Sequence, residues 1–594
     1  MKILPALLTE TLKTAFEKEG LDSSDVTVQV SDRPDLADFQ SNSAFALAKT
    51  ARKNPREIAM GIINHIKLDN MFERVEVAGP GFINMVIAKP FLSGLMSNQQ
   101  QDERCGVPVL NDDQTIVVDY GGPNVAKPLH VGHLRPAIIG ESIKRVSRFM
   151  GAYTLGDIHL GDWGTPMGML IAELEERHPE WDYFDMNKTD GFPSEPPVSV
   201  VELNTLYPEA STHFKSDEVF ADKARKATAE LQDGRAGYRA LWRHFCTISL
   251  DAMKEDYHHL NVDFDLWLGE SDVHDLIPEM IADMREKGLI VESDGALIIP
   301  VAKEGDKEEI PPLILVKKDG GYNYATTDLA TIYDRKKKYN PDRLIYVVDT
   351  RQSLHFKQVF RVAVMARYMR EDQMEHANFG TINGTDGKPY KTRDGGVMRL
   401  ANLIKEAKDE AITQAGFDEN SQDASIQEML DDISVAAVKY GDLAINRQSD
   451  YVFDVKAFVQ SEGKTGPYIQ YACVRIQSIL EKVGSLDKPT SIIVEDDAEK
   501  ELVLKYLEFP TIMQRAFETS MPSILCEHVY LLSKAFNRFY GTCSVANEAD
   551  NATKNSRITL CQMTLRQMKL IMVDLLGIDV PERMLRASDL EAVA

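Results

Sequence analysis

The sequence predicts an α/β protein of 594 residues. A parallel-sheet domain with a helical insertion is expected between an N-terminal α+β domain and a C-terminal all-helical bundle. Three observations predict this. The apolar run TIVVDY passes through a Gly/Pro-rich loop into the helix-patterned LRPAIIGESIKRVSRFMG, which is how a Rossmann-like, doubly wound unit opens. Further strand-like runs then alternate with helical stretches such as DLATIYDRKKKY. From about residue 400 onward almost every stretch carries helical spacing.

The first domain is assigned to residues 1–100. ALLTETLKTAFEKEG and REIAMGIINHIK have helical spacing, VTVQVSD and FINMVIA alternate as strands do, and AGPGF is a turn between strands. The polar, aperiodic SNQQQDERCGVPVLNDDQ predicts a linker over 97–114. Residues 115–400 are assigned to the parallel sheet, with ALIIPV, LILVKK and RLIYVVD as further strands. A mostly helical insertion is expected over about 165–300, with the Pro-rich DGFPSEPPVS inside it. ANLIKEAKDEAITQAG, GPYIQYACVRIQSILEKV and YLLSKAFNRFYGT place a helical bundle over 401–594. There are no internal repeats and no low-complexity tract.

Composition narrows the function classes. Hydrophobic residues at 43% and charged ones at 27% are the balance of a globular protein, not of a disordered or collagenous one. No apolar run reaches 18 residues, so no membrane-spanning helix and no membrane partner are expected. MKILPALLTETLKTAFEKEG meets Glu10 and Lys13 early, which reads as an amphipathic helix rather than a secretion signal. The net charge of −25 argues against non-specific nucleic-acid binding, while a local basic strip still permits a specific RNA partner. The six cysteines are scattered without a CxxC, so a reducing cytoplasm and no structural zinc are expected.

The chemistry concentrates in VDYGGPNVAKPLHVGHLRPAIIG, residues 118–140. His130 and His133 are three apart where a loop enters a helix, so both imidazoles share the first turn. A helix start attracts phosphate through its free N–H groups and partial positive charge. Gly132 removes a side chain where a flat base could stack, and Lys127 adds a cation upstream. Together these suit a purine triphosphate. Two surface histidines at a helix start, or a metal pair, have the same spacing, although no third metal ligand is evident nearby.

The string PNVAKPLHVGHLR resembles the arginyl-tRNA synthetases, and HVGH is similar to the HIGH signature of class I aminoacyl-tRNA synthetases. HLGDWGTPMG, LNVDFDLWLGES, DGGYNYATTDLA, GTDGKPYKTRDGG, GPYIQYACVR and LLGIDVPERM extend the resemblance nearly to the C-terminus. It implies an ATP-dependent ligase that forms arginyl-adenylate and pyrophosphate, then moves the arginyl group to the terminal ribose of tRNA. Magnesium would enter with ATP, held mainly by phosphates and water. A monomer that needs tRNA for the activation step is expected.

The resemblance also implies residue roles. His130 and His133 would stabilise the phosphate transition state, and Gly132 would make room for adenine. GKPYKTR stands for the KMSKS signature in degenerate form, with Lys388 and Lys391, and Lys127 would assist. By itself that segment also reads as a Gly-rich surface turn with solvated lysines. Glu270 and Asp328 would clasp the guanidinium, a planar cation suited to charge-assisted pairs. Tyr324 would place its phenol in the pocket, with Asn124 and Gln352 at the α-amino and carboxylate end. Paired acids would also accept lysine, so they do not choose between the two amino acids.

The N-terminal domain, with DFQSNSAFALAK, resembles a module that contacts the tRNA elbow, and the C-terminal bundle resembles an anticodon-binding domain. Tyr468, Tyr471, Arg475, Asn537, Arg538, Tyr540 and Met584 are its candidates, since aromatics and Arg stack on unpaired bases. Aromatics at helical spacing are also what a core requires. Three departures stand out: Gly121 and Gly122 replace small hydroxyl residues, Pro136 replaces serine, and LRASDLEAVA follows PERM. The last puts a role for Met584 in doubt. The competing readings are a lysine or cysteine ligase, the latter needing zinc ligands, a silent RNA-binding paralogue, and a small nucleotidylyltransferase, which would not need the bundle.

Overall fold

The structure is a computed structural model that describes residues 3–384, 386–388, 390, 398–417 and 423–585. The helix Leu4–Lys18 buries Leu4, Leu8, Leu12, Ala15 and Phe16. In the same N-terminal region lies a four-stranded antiparallel sheet, ordered Gln29–Val30, Phe39–Ser41, Phe82–Ile87, Phe72–Ala78. VTVQVSD yields only the exposed two-residue edge strand Gln29–Val30. AGPGF does turn between two strands. Gly81 is obligatory there, because its φ is +145° and a Cβ would lie 2.8 Å from the Pro55 carbonyl carbon.

The stretch read as a linker is folded against its neighbours. Asp102 accepts the backbone N–H groups of Arg104 and Gly106 at 2.9 and 2.8 Å. Cys105 and Val107 are buried, and Arg566 from the C-terminal segment donates to the Gln100 carbonyl at 2.8 Å. Polarity without period misled here, since the polar groups satisfy their own backbone.

The central sheet has five parallel strands in the order Met374–His376, Arg343–Val347, Thr115–Tyr120, Tyr153–Leu160, Leu266–Gly269. From Thr115–Tyr120 the chain winds outward through Tyr153–Leu160 to Leu266–Gly269. It then returns to lay Arg343–Val347 on the other side of Thr115–Tyr120. The strand order therefore reverses beside Thr115–Tyr120, and such switch points open a crevice at the carboxyl ends of the strands.

Two expected strands do not join this sheet. Ala296–Ile299 and Leu313–Val316 form a separate antiparallel sheet with Val291–Ser293. The cause is local: Asp294 and Gly295 have φ of +48° and +84°, the double left-handed turn that closes a tight hairpin. Parallel neighbours would need a long crossover instead. The helical excursion also ends before residue 300. Thr165–Arg177, Val200–Ser216, Glu218–Gln232 and Ala236–His259 build it around Trp163, Leu170, Leu241 and Phe245, and the chain is back in the sheet at Leu266–Gly269.

The last part of the chain is helical from Leu400–Ala415 to Asn551–Lys569, apart from the strand Tyr451–Val452. That strand pairs in parallel with Ile382–Asn383 and so stitches the two regions together. The buried Arg135 strengthens the joint. It pairs with Asp442 at 3.1 Å and donates to the Gly380 and Ser449 carbonyls at 2.7 and 3.0 Å. Met584 packs on the core, and 586–594 lie outside the described residues. Among the described residues no helix is long and apolar enough to cross a membrane.

Candidate active site

All five central strands point the same way, so their carboxyl ends share one edge, and most of the candidate residues gather there. The first loop turns at Gly121 and Gly122, with φ of +93° and +46°. A side chain at 121 would meet the Phe264 ring 3.1 Å away. These glycines thus have a conformational reason to stand where hydroxyl residues were expected. Asn124 then bridges to Gly161 at the end of the neighbouring strand. A Cβ on Gly161 would lie 2.0 Å from Asn124 Oδ1, so glycine there admits the amide.

His130 caps the 3₁₀ turn Val131–His133, and helix Leu134–Phe149 continues from it. The Gly132 N–H donates to His130 Nδ1, and the His130 N–H donates to His133 Nδ1, both at 3.1 Å. Since both Nδ1 atoms accept, each neutral ring carries its proton on Nε2. The rings stack with centroids 3.9 Å apart. Burial, then the neighbouring His130 and Lys127, push His133 down to about 3. Burial followed by Lys127 lowers His130 as well. The pair is therefore two neutral N–H donors at neutral pH. Gly132 has a further reason to be glycine: its Cβ would sit 2.8 Å from His130 Cε1.

The turn is clamped from outside. Val131 N–H donates to the Met398 carbonyl at 2.9 Å, and Leu400 N–H donates to the Leu129 carbonyl at 3.1 Å. Lys127 holds its ammonium 4.6 Å from the Tyr207 ring centre on an insertion helix. Lys388 is exposed in a tight turn, its N–H on Asp386 at 3.0 Å, and among the described residues no hydrogen bond joins it to the histidines. Lys391 lies outside the described residues.

The acids come from two other elements. Glu270 opens the helix Glu270–His274 directly after the edge strand Leu266–Gly269. Burial pushes its carboxyl up to about 7; His159 offsets part of that, and Asp162 and Asp328 add to it. Asp328 lies on helix Tyr324–Lys338, where Tyr324, Asp328, Thr331 and Arg335 share one face. Its Oδ2 accepts from His355 Nε2 at 2.5 Å. Tyr324 is 75% exposed overall. Partial desolvation of its phenol, then the Glu270 and Tyr207 charges, raise its pKa. Gln352 is exposed in the turn Thr350–Gln352, just past the strand Arg343–Val347.

Sequence reasoning missed three neighbours. His159 ends a central strand, with Nε2 3.4 Å from Thr331 Oγ1 and a buried, unpartnered Nδ1. Asp162 accepts from the Ser271 N–H at 3.0 Å and hydroxyl at 2.6 Å, fixing the backbone beside Glu270. His355 holds Asp328. The first two lie in HLGDWGTPMG, and His355 follows Gln352 by three residues, so the signal was present but unassigned.

Four bundle candidates come together. Arg475 donates to Asn537 Oδ1 at 3.2 Å and lies 5.0 Å from the Tyr540 ring centre. Asn537 donates to the Tyr468 hydroxyl at 3.0 Å. Tyr471 is exposed on the same helix. Arg538 turns away to pair with Glu501.

Residues 95–455 match the family model for the catalytic domain of class I (R) tRNA synthetases. Residues 469–584 match the DALR anticodon binding domain, and 2–87 match the arginyl tRNA synthetase N terminal domain. The chain is 47% identical over 586 residues to the arginine–tRNA ligase of Francisella tularensis subsp. novicida, covering 97% of this chain and 99% of that one.

The chain belongs to the arginyl-tRNA synthetase family.

The arginine–tRNA ligase of Hyphomonas neptunium is also 47% identical, over 98% of this chain and all of its own. Among solved structures, the arginyl-tRNA synthetase of Plasmodium falciparum superposes with a TM-score of 0.81 at 26% identity, covering 98% of this chain and all of that one. The Thermus thermophilus arginyl-tRNA synthetase, at TM-score 0.80 and 22% identity with the same coverage, shares the fold. As an arginyl-tRNA synthetase family member, the chain has a Rossmann-like α/β unit, an N-terminal domain with an antiparallel sheet and a helical C-terminal domain. Among the described residues no group of three or more His, Cys, Asp or Glu side chains is gathered to hold a metal ion.

Proposed function

We propose that one edge of the parallel sheet performs both halves of amino-acid activation, with the histidine pair serving ATP and the acid pair serving arginine. The chain is a ligase that charges tRNA with arginine at the expense of ATP. One observation carries the residue-level reading. Asp328 is near enough for its charge to raise the Glu270 carboxyl, and among the described residues no lysine or arginine forms an ion pair with either acid, while Glu270 and the two neutral histidines follow strands of the same sheet edge.

The arginine carboxylate attacks the α-phosphate and pyrophosphate leaves. Negative charge grows on the α-phosphate oxygens, where the Nε2–H groups of His130 and His133 donate without prior reorganisation. Lys127 adds positive charge, and Lys388 and Lys391 hold the departing pyrophosphate. Glu270, Asp328 and Tyr324 fix the guanidinium, while Asn124 and Gln352 set the carboxylate end in line. A terminal ribose hydroxyl of the tRNA then attacks the carbonyl carbon, and AMP leaves. Magnesium would enter with ATP, held mainly by its phosphates and water.

We divide the labour in the same terms. Residues 1–100 contact the tRNA elbow, 115–400 carry the chemistry, and 401–594 read the anticodon through Tyr468, Tyr471, Arg475, Asn537, Arg538 and Tyr540. The working form is a cytoplasmic monomer. ATP–pyrophosphate exchange across all twenty amino acids, with and without total tRNA, tests the reading. Exchange is expected with arginine and only when tRNA is present. A lysine signal overturns the specificity, and full exchange without tRNA overturns the tRNA requirement. His133→Ala is expected to raise the activation barrier by about 2–4 kcal/mol, as loss of an oxyanion-type donor does.

A further inference from the structure

Asp328 is held unusually for a pocket acid. Its Oδ2 accepts from His355 Nε2 at 2.5 Å, and its Oδ1 has no hydrogen bond among the described residues. The two side chains are only 23% and 24% exposed. With Oδ2 as the acceptor, Nε2 carries the hydrogen of this bond. His355 is itself braced, its ring edge-on to Phe356 at 5.2 Å, and Phe356 packs on Tyr346 and His376.

The placement of His355 in the chain adds a second argument. Helix Ser353–Met365 begins immediately after Gln352, so Gln352 and His355 ride on one rigid turn. That turn reaches one residue assigned to each end of the amino acid. Without the imidazole, Asp328 would face the Glu270 charge with no donor restraining it. The torsion that aims its oxygens would then be broad and nearly two-fold.

We infer that His355 is a positioning residue for arginine: it engages one oxygen of Asp328 so that the other is presented to the guanidinium, and it ties that spacing to Gln352. This rests on the assignment of Asp328 to the arginine pocket made above. His355 does not touch the substrate in this scheme. It lowers the cost of ordering the carboxylate before arginine arrives.

The test is ATP–pyrophosphate exchange by the full-length protein with tRNA present and arginine varied. In His355→Ala the KM for arginine is expected to rise about tenfold, the worth of one charge-assisted hydrogen bond, with kcat within about twofold. His355→Gln, whose amide nitrogen reaches the place of Nε2, is expected to recover most of the loss, whereas the shorter His355→Asn is not. A merely structural role would not follow that order. If His355→Ala does not fold, the Gln and Asn variants decide alone.

An unchanged KM, a kcat loss without a KM change, or a KM that falls would each overturn the inference, the last by making His355 a competitor for Asp328. Asp328→Asn in the same assay separates the two layers. If it leaves the arginine KM unchanged, the pocket assignment is wrong. If it raises KM while His355→Ala does not, only the role of His355 is.

Discussion

Helix Tyr324–Lys338 contributes to two acid-lined sites from one face, and the difference that matters is the cation. At its C-terminal end the guanidinium of Arg335 lies between Asp119 at 2.6 Å and Asp157 at 2.5 Å, with the Tyr346 hydroxyl at 3.1 Å. Two turns earlier Glu270, Asp328 and Tyr324 offer the same set of groups, two acids and a phenol, with no guanidinium among the described residues paired to either acid. The first site is buried, and one guanidinium pairs with both of its carboxylates. The second is open, and one of its acids keeps its proton near neutral pH. A low-dielectric site tolerates two carboxylates only when a cation accompanies them. Where the chain supplies the cation the set is structural. Where the cation is missing, the set becomes a receptor for one.

The comparison breaks most visibly at the structural site. Arg335→Met would leave Asp119 and Asp157 buried and unpaired. We expect it to destabilise the protein by about 3–5 kcal/mol in denaturant melts, while a loss below 1 kcal/mol would show that the acids simply take up protons. At the open site, Asp328→Ala removes an acid that has no built-in cation to strand. It leaves the His355 N–H without its partner, so folding stability should fall by about 1 kcal/mol, well short of the Arg335→Met loss. Its KM for arginine should rise by the equivalent of about 1.5–3 kcal/mol, read from the exchange rate against arginine concentration.

The smallest effect sharpens the comparison through pH. Glu270 is raised to about 7 in the empty pocket, so below that pH it is mostly protonated and cannot pair with a guanidinium. The KM for arginine should therefore fall as pH rises from 6 to 8, by at most about tenfold per unit. Glu270→Gln should have a higher KM with a flatter pH profile. A wild-type profile that is flat over this range would place the titration elsewhere.

Much of this was legible in the chain. TIVVDY, the Gly/Pro loop and the apolar helix pattern marked the switch-point strand and its phosphate-facing turn, because a central parallel strand is buried on both faces and so mostly apolar. The HVGH spacing brought both histidines to one turn. Residues past that turn were harder to assign. ALIIPV and LILVKK have the composition of central strands, yet a two-residue turn folds the first back on Val291–Ser293 and the second pairs antiparallel with the first, outside the central sheet. Leu266–Gly269 is a short strand hidden in a region that otherwise reads as helix. His355 drew no assignment from the sequence, since its partner is 27 positions away.

What the sequence by itself determined is the set of local devices: a strand, a glycine-permitted turn, two imidazoles three apart, and a helix with a phenol, one acid and an arginine on one face. These follow from periods of two and 3.6 residues and from backbone angles that only glycine accepts easily. Only the tertiary structure decided which acids would meet a cation from within. That depends on which strand ends the sheet brings alongside the helix. Asp119 and Asp157 fall level with Arg335, while Glu270 arrives near Asp328, where no lysine or arginine among the described residues pairs with them.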